Sequence, residues 1–165
     1  MLVELISENQ YESLIDLLLE LHCYYSESST PYRSVVREHL LKNILAPVSP
    51  LQLVVAINGD GVVVGFAAIS LTYSLVEPSP EKNRQVQLKE IYVLSAQRGH
   101  GIGKAIFAWI ARYAMDNGCC RIDWPVKSTN AKGISFYESL GAELVVERLS
   151  YRLSETSLRE LAYKL

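Results

Sequence analysis

Cysteine is scarce: Cys23 and the adjacent Cys119 and Cys120 are the only three, and no C-x-x-C spacing exists. That pattern excludes a disulfide framework and a thiolate zinc site, so no metal is expected. All three thiols read as small buried apolar residues. Lysine and arginine are missing from the first 32 positions, which instead carry Glu4, Glu8, Glu12, Asp16, Glu20 and Glu27. The basic excess is local. Residues 98–133 hold Arg98, Lys104, Arg112, Arg121, Lys127 and Lys132 against Asp116 and Asp123. With a pI of about 5.9, a basic nucleic-acid footprint is absent, and no nucleic-acid partner is expected. No apolar run approaches the ~20 residues of a membrane span. Met1-Leu2-Val3-Glu4 lacks the basic opening of a secretion signal, so a cytoplasmic protein without a membrane partner is expected. The chain has 165 residues, 49% of them hydrophobic, which suits one domain over 1–165 with its own core.

What the chain does have is glycine at one place. Gly99, Gly101 and Gly103 fall within five positions, between the apolar run Ile91-Tyr92-Val93-Leu94 and a helical run beginning Ile102-Gly103-Lys104. Glycine admits strained backbone angles and close approach by a ligand. A helix start leaves N–H groups without partners and carries partial positive charge. Together these form a cradle for phosphate or pyrophosphate. A P-loop would need glycine where Arg98 stands and Ser or Thr where Ala105 stands. A dinucleotide fingerprint would need its third glycine at Lys104 or Ile106. Both fail. A tight strand-to-helix turn without a ligand is the plainer alternative.

Periodicity predicts the remaining elements. Leu2–Ile6 reads as a short strand. Ser7 and Gln10 form a capping box before a helix reaching about Tyr24, with Tyr11, Leu14, Ile15, Leu18 and Leu21 as its buried stripe. Glu8, Glu12, Asp16 and Glu20 recur every four residues, as a solvated face or an acidic wall that draws in an amine. Residues 24–32 are a polar, aromatic loop. A second helix spans about 34–45. Strands are expected over 51–57, 62–75, 85–94, 119–126 and 142–153, with a hairpin turn at Asn58-Gly59-Asp60-Gly61. Gly65 marks a bulge or a close contact. Helices are expected over 101–117, with Ile102, Ile106, Trp109, Ile110 and Tyr113 inward and Gly118 as stop, and over 130–140 and 154–163. One further irregularity is visible. Val86 and Leu88 share one parity and Ile91 and Val93 the other, as a β-bulge produces. Such a break splays this strand from the 119–126 strand. The order implies an α/β fold: a twisted mixed sheet with helices on both faces.

Arg98-Gly99-His100-Gly101-Ile102-Gly103 resembles the pyrophosphate loop of the GNAT superfamily of acetyl-CoA-dependent N-acetyltransferases, Arg-x-x-Gly-x-Gly/Ala. Asn130-Ala131-Lys132-Gly133-Ile134-Ser135-Phe136-Tyr137-Glu138-Ser139-Leu140-Gly141-Ala142 is similar to that family's second signature, with Gly133 in place of the common Ala. Leu71-Thr72-Tyr73-Ser74 and Leu88-Lys89-Glu90-Ile91-Tyr92-Val93 resemble the diamine and spermidine/spermine branch. That branch carries Asp-Trp-Asn before the second signature; here Thr129 precedes Asn130 and the nearby tryptophan is Trp124.

The resemblance implies acetyl-CoA (coenzyme A) as co-substrate and direct attack by an amine with both substrates bound. It assigns the cofactor to the strand Ile91, Tyr92 and Val93, to the loop Arg98, Gly99, His100, Gly101, Ile102, Gly103 and Lys104, and to Asn130 and Tyr137. A backbone N–H near Val93 would face the developing oxyanion. Tyr137 matches the family's general acid, a phenol able to protonate a leaving thiolate. By itself it reads equally as a core tyrosine beside Phe136. Glu90 is the candidate base, on the strand beside the reaction centre, or else an ordinary paired carboxylate. Asn130 reads also as a helix N-cap. Tyr24, Tyr32, Tyr73, Glu90 and Trp124 are candidates to frame the acceptor, because cations favour aromatic faces. The implied activity is N-acetylation of a small primary amine: a diamine, a polyamine or an amino-acid-like molecule. A protein or peptide N-acetyltransferase and a non-catalytic acyl-CoA sensor are the alternatives. The family further implies a homodimer, with the final strand as a route to it.

Overall fold

Alternating apolar residues put five strands into one sheet. The computed structural model describes residues 1–26 and 29–163; Glu27 and Ser28, the middle of the expected 24–32 loop, lie outside the described residues. Two compact units, Met1–Pro125 and Val126–Leu165, are described in turn.

The first unit holds β1 (Leu2–Leu5), α1 (Tyr11–Tyr25), α2 (Arg33–His39), β2 (Gln52–Ile57), β3 (Val63–Tyr73), β4 (Arg84–Val93), α3 (Ile102–Asp116) and β5 (Ile122–Asp123). The sheet order is β1-β2-β3-β4-β5. The first four strands pair antiparallel and β5 joins β4 in parallel. The sheet is mixed, as expected. A 3-10 turn with the Ser7–Gln10 capping box leads into α1, the Ser7 N–H donating to Gln10 Oε1 at 2.8 Å.

Helices cover both faces, and neighbouring residues of β3 show it. Phe66 and Ala68 join Leu14, Ile15 and Leu17 of α1 in one buried cluster with Leu53, Val55 and Tyr92. Side chains alternate across a strand, so Gly65 faces the other way. There a Cβ would come within 3.0 Å of Ile102 and 3.1 Å of Ile106, so α3 sits directly on this glycine. The close contact expected at Gly65 is real, and it seats α3, with the glycine loop at its head, on the sheet.

Several expectations need correction. The inward residues of α3 are Ile102, Ile106, Phe107, Ile110 and Ala114. Trp109 and Tyr113 are only half-buried and stack on each other, with centroids 5.2 Å apart. At 3.6 residues per turn the buried arc is centred further round than the reading placed it. The cysteines are not buried: Cys23 and Cys120 are exposed and Cys119 is intermediate. The second helix ends in a wide turn over Leu40–Ile44, and the expected 119–126 strand shrinks to two residues.

The second unit holds α4 (Ala131–Ser139) and α5 (Glu155–Tyr163). The strand expected over 142–153 does not form. Those residues carry no strand pairing among the described residues, and Leu144, Val146, Leu149 and Tyr151 are exposed at 77%, 71%, 77% and 90%. Alternation gives a segment two faces but not a partner, and an extended chain without a ladder leaves its backbone groups to water.

Candidate active site

The parity break in β4 is a bulge at Lys89. In the β3–β4 register Ala68 stands opposite Glu90 and Ile69 opposite Leu88, so Lys89 is the extra residue. Two hydrogen bonds show what the insertion does. Before it, the even-numbered Val86 N–H points to β5 and donates to Arg121 O at 3.0 Å. After it, the even-numbered Leu94 N–H points to β3 and donates to Val64 O at 2.9 Å. Antiparallel bonding alternates along the strand, so the Ile91 and Val93 amides turn toward the outer edge. That edge is open. β5 pairs with β4 only at Val86 and Gln87, and among the described residues no strand lies beside Leu88–Val93. The bulge thus turns these donors to the edge of β4 that the early end of β5 leaves without a strand.

The same insertion sorts the side chains. Tyr92 enters the core cluster beneath α1, and Glu90, two residues earlier, shares its face. The Tyr25 hydroxyl reaches Glu90 Oε1 at 3.3 Å. Tyr25 falls in the expected 24–32 loop, but α1 extends to include it. Its signal was position: it closes α1, one residue after Tyr24, where that helix crosses the end of β4.

The glycine loop follows. Ser95–Gln97 makes one 3-10 turn, and Gly99 and Gly101 take φ of +82° and +79°. Such angles strain any residue with a Cβ. Gly101 caps α3, its carbonyl accepting from Ala105 N–H at 3.0 Å. A Cβ at either glycine would meet nothing within 4 Å, so the space above the loop is open. Left-handed glycines, unpaired first-turn amides and open space fit a pyrophosphate. His100 is exposed, with Nδ1 3.2 Å from Gln97 O, beside an open depression of about 280 Å³. Arg98 turns the other way. Its Nε donates to Val93 O at 3.0 Å, and its guanidinium lies 5.0 Å from the Tyr92 ring and 5.7 Å from the Tyr24 ring. Tyr24 and Tyr92 are themselves 5.9 Å apart.

Glu20 completes this group. One oxygen, Oε1, accepts the Tyr92 hydroxyl at 2.9 Å and the Ser95 N–H at 2.8 Å. Burial works to raise its pKa, but the bonds from Ser95 and Tyr92 outweigh that and hold the carboxyl below its ordinary value. Burial, then the Glu20 carboxylate, pushes the Tyr92 phenol up to about 12, so it stays a donor. The acidic wall on α1 has other work as well. Glu12 pairs with Arg33 and Arg37, and Asp16 with Arg33, tying α1 to α2.

The other candidates fall elsewhere. Tyr73 pairs with Arg84 at the far end of the β3–β4 ladder, where Arg84 bonds its hydroxyl and lies over its ring. Six strand positions separate Arg84 from Glu90, about 20 Å. Trp124 packs on Phe107 of α3, with centroids 5.2 Å apart. Tyr32 is exposed at the start of α2. In the second unit Asn130 is the N-cap of α4, its Oδ1 accepting from Gly133 N–H at 3.0 Å. A Cβ on residue 133 would fall 2.5 Å from Asn130 Nδ2, so the Asn130 side chain would have to shift to admit Ala there. Tyr137, on the same helix, is half-buried beside Phe136 at 5.4 Å.

Residues 14–142 match the profile of the acetyltransferase (GNAT) family. The chain belongs to this family. Among curated proteins, a thialysine N-epsilon-acetyltransferase from Mus musculus is 38% identical over 82 residues, 48% of each chain. One from Bos taurus is 33% identical over 105 residues, covering 62% of this chain and 59% of that protein. An L-ornithine N5-acetyltransferase from Arabidopsis thaliana is 29% identical over 102 residues, covering 62% of this chain and 43% of the other. This GNAT chain therefore matches about half of the length of these relatives. Among solved structures, an integron cassette protein from the mobile metagenome of V. cholerae superposes with a TM-score of 0.88 at 27% identity, over 98% of this chain and 97% of its own. The GNAT fold expected from the two motifs is the fold observed.

Proposed function

We propose that this GNAT protein transfers the acetyl group of acetyl-CoA to a primary amine of a small molecule, a diamine, polyamine or amino-acid-like acceptor. The observation that carries this reading is the bulged β4 edge, with the Ile91 and Val93 amides turned to the side that no strand covers, running into a left-handed glycine loop at the head of α3. When bound, acetyl-CoA supplies a thioester activated toward amines. The α3 amides and Lys104 hold its pyrophosphate. The Val93 N–H donates to the oxygen on which charge develops. Glu90 accepts the proton the amine must lose, directly or through water, and Tyr137 returns a proton to the departing thiolate. Asn130 supports the cofactor arm through the α4 terminus it caps. The thialysine and ornithine acetyltransferase relatives favour an acceptor with an amino-acid or diamine character. Tyr24 and Glu90 are the proposed acceptor contacts, and Tyr25, which bonds Glu90 and packs on Tyr24, links the two.

The test is CoA release from acetyl-CoA across polyamines, amino acids, aminoglycosides and peptides. Turnover with one or a few small cationic amines is expected. Turnover with peptides alone points to a protein acceptor. Silence across the panel with acetyl-CoA binding retained leaves a sensor, and either result overturns the proposal.

The quaternary proposal is a homodimer in the cytoplasm, in which the exposed run Leu144–Leu153 is covered by a second copy. Light scattering is expected to give twice the chain mass of 18.5 kDa. Changing Leu144, Val146 and Leu149 together to Ser is expected to return it to a single copy. A monomeric wild-type chain at micromolar concentration refutes this.

A further inference from the structure

Glu20 stands in α1, remote in sequence from every motif, yet it touches both the end of β4 and the turn that leads into the glycine loop. Its Oε1 takes the backbone N–H of Ser95, the first residue of the turn that leads into Gly99 and Gly101, and the hydroxyl of Tyr92 on β4. Four residues on, one turn along the same helix face, Tyr24 lies against Tyr92 and beneath the Arg98 guanidinium. Arg98 in turn holds Val93 O. Both ends of the Ser95–Arg98 segment are therefore tied to α1. The family loop pattern covers Arg98 onward and says nothing of α1.

We propose that Glu20 is a positioning residue for acetyl-CoA: it fixes the entry to the glycine loop before ligand arrives, and so sets cofactor affinity without touching the cofactor. The proposal rests on the acetyltransferase reading. The two bonds made by one oxygen give it a specific form. Geometry matters more than charge, because the amide oxygen of glutamine occupies the same place and accepts from the same two donors. Removing the acceptor leaves the Ser95 amide and the Tyr92 hydroxyl to find other partners, and the turn loses its anchor. A loop that must be ordered on binding binds more weakly by the cost of ordering it.

The experiment compares Glu20→Ala and Glu20→Gln with wild type in three readouts. The first is hydrogen exchange of the peptide spanning residues 94–102 in the ligand-free protein. The second is the Kd for acetyl-CoA. The third is kcat at saturating acetyl-CoA. For Glu20→Ala, faster exchange in this peptide is expected with β2 and β3 peptides unchanged. Its Kd rises about tenfold, the size of losing hydrogen bonds to a charged group, and kcat stays within twofold. Glu20→Gln restores Kd to within about threefold of wild type, a residual set by the lost charge. Unchanged exchange in a folded Glu20→Ala protein overturns the proposal. So does a Glu20→Gln variant as weak as Glu20→Ala, or a loss confined to kcat. Exchange spreading through β2 and β3 marks a general packing role and also overturns it. Failure of the acetyltransferase reading is told apart on wild type alone: a folded wild-type chain that binds no acetyl-CoA refutes that reading and the affinity claim, while the exchange result still reports the anchor.

Discussion

Tyr137→Phe is expected to lower turnover about 100-fold while the Kd for acetyl-CoA stays within twofold, the lower end of what a positioned proton donor contributes. In barrier height that is about 2.7 kcal/mol, two decades at 1.36 kcal/mol each. The substitution removes one oxygen and keeps the ring. The contact with Phe136 is therefore retained, and so is the α4 cap made by Asn130 and Gly133. A positioned phenol hydroxyl can pass its proton to a departing thiolate. Without the hydroxyl, water must do this. The effect should therefore fall on kcat and follow the leaving group, with a better thiolate leaving group narrowing the gap between variant and wild type. A core tyrosine would behave differently. Its loss would lower thermal stability and leave kcat nearly intact, and that outcome would strip Tyr137 of the acid role.

Most of what shapes the glycine loop is legible in the sequence because it rests on local stereochemistry. Glycine at positions 99, 101 and 118 announces left-handed backbone, and all three have positive φ. The bulge was legible too, since two hydrophobic parities in one strand have few other causes. Three features escaped for one reason: each depends on what stands opposite. The acids of α1 have the spacing of a solvated face, and only the fold shows Glu12 and Asp16 meeting Arg33 and Arg37. Glu20 belongs to the same series and goes to Ser95 and Tyr92. Residues 142–153 alternate well enough for a strand, but a strand is a pairing, and alternation names no partner. Likewise Trp109 outranks Phe107 in size, yet the sheet selects the arc of α3 that is buried, and Phe107 lies within it. Residue type makes Tyr73 and Trp124 candidates for the acceptor but names none of their neighbours. The ladder sets Tyr73 opposite Arg84 and the packing of α3 takes Trp124.

Deleting Lys89 is expected to weaken acetyl-CoA binding about tenfold, or about 1.4 kcal/mol, while the protein stays folded with little loss of stability. Lys89 is exposed, and no contact of its side chain enters the argument; a surface lysine would ordinarily be changed within about ±0.5 kcal/mol. What matters is that it is one residue long. Lys89 is the residue that the ladder leaves out, so without it Leu88 stays opposite Ile69, Glu90 opposite Ala68 and Tyr92 opposite Phe66, and every later side chain keeps its face. Tyr92 therefore keeps the Glu20 oxygen and its place in the core cluster beneath α1. What the deletion removes is the bend. A bulged strand kinks and twists more strongly than a regular one, and β5 leaves β4 after Gln87, just before the bulge. A straightened β4 keeps closer to β5, which covers the edge on which the Ile91 and Val93 amides stand. Replacing Lys89 by Ala keeps the residue count and should leave binding within twofold, which separates length from chemistry. Titration calorimetry with acetyl-CoA and urea unfolding of both variants read the two effects. A deletion variant that binds acetyl-CoA as wild type does would mean that the bulge is incidental to the site.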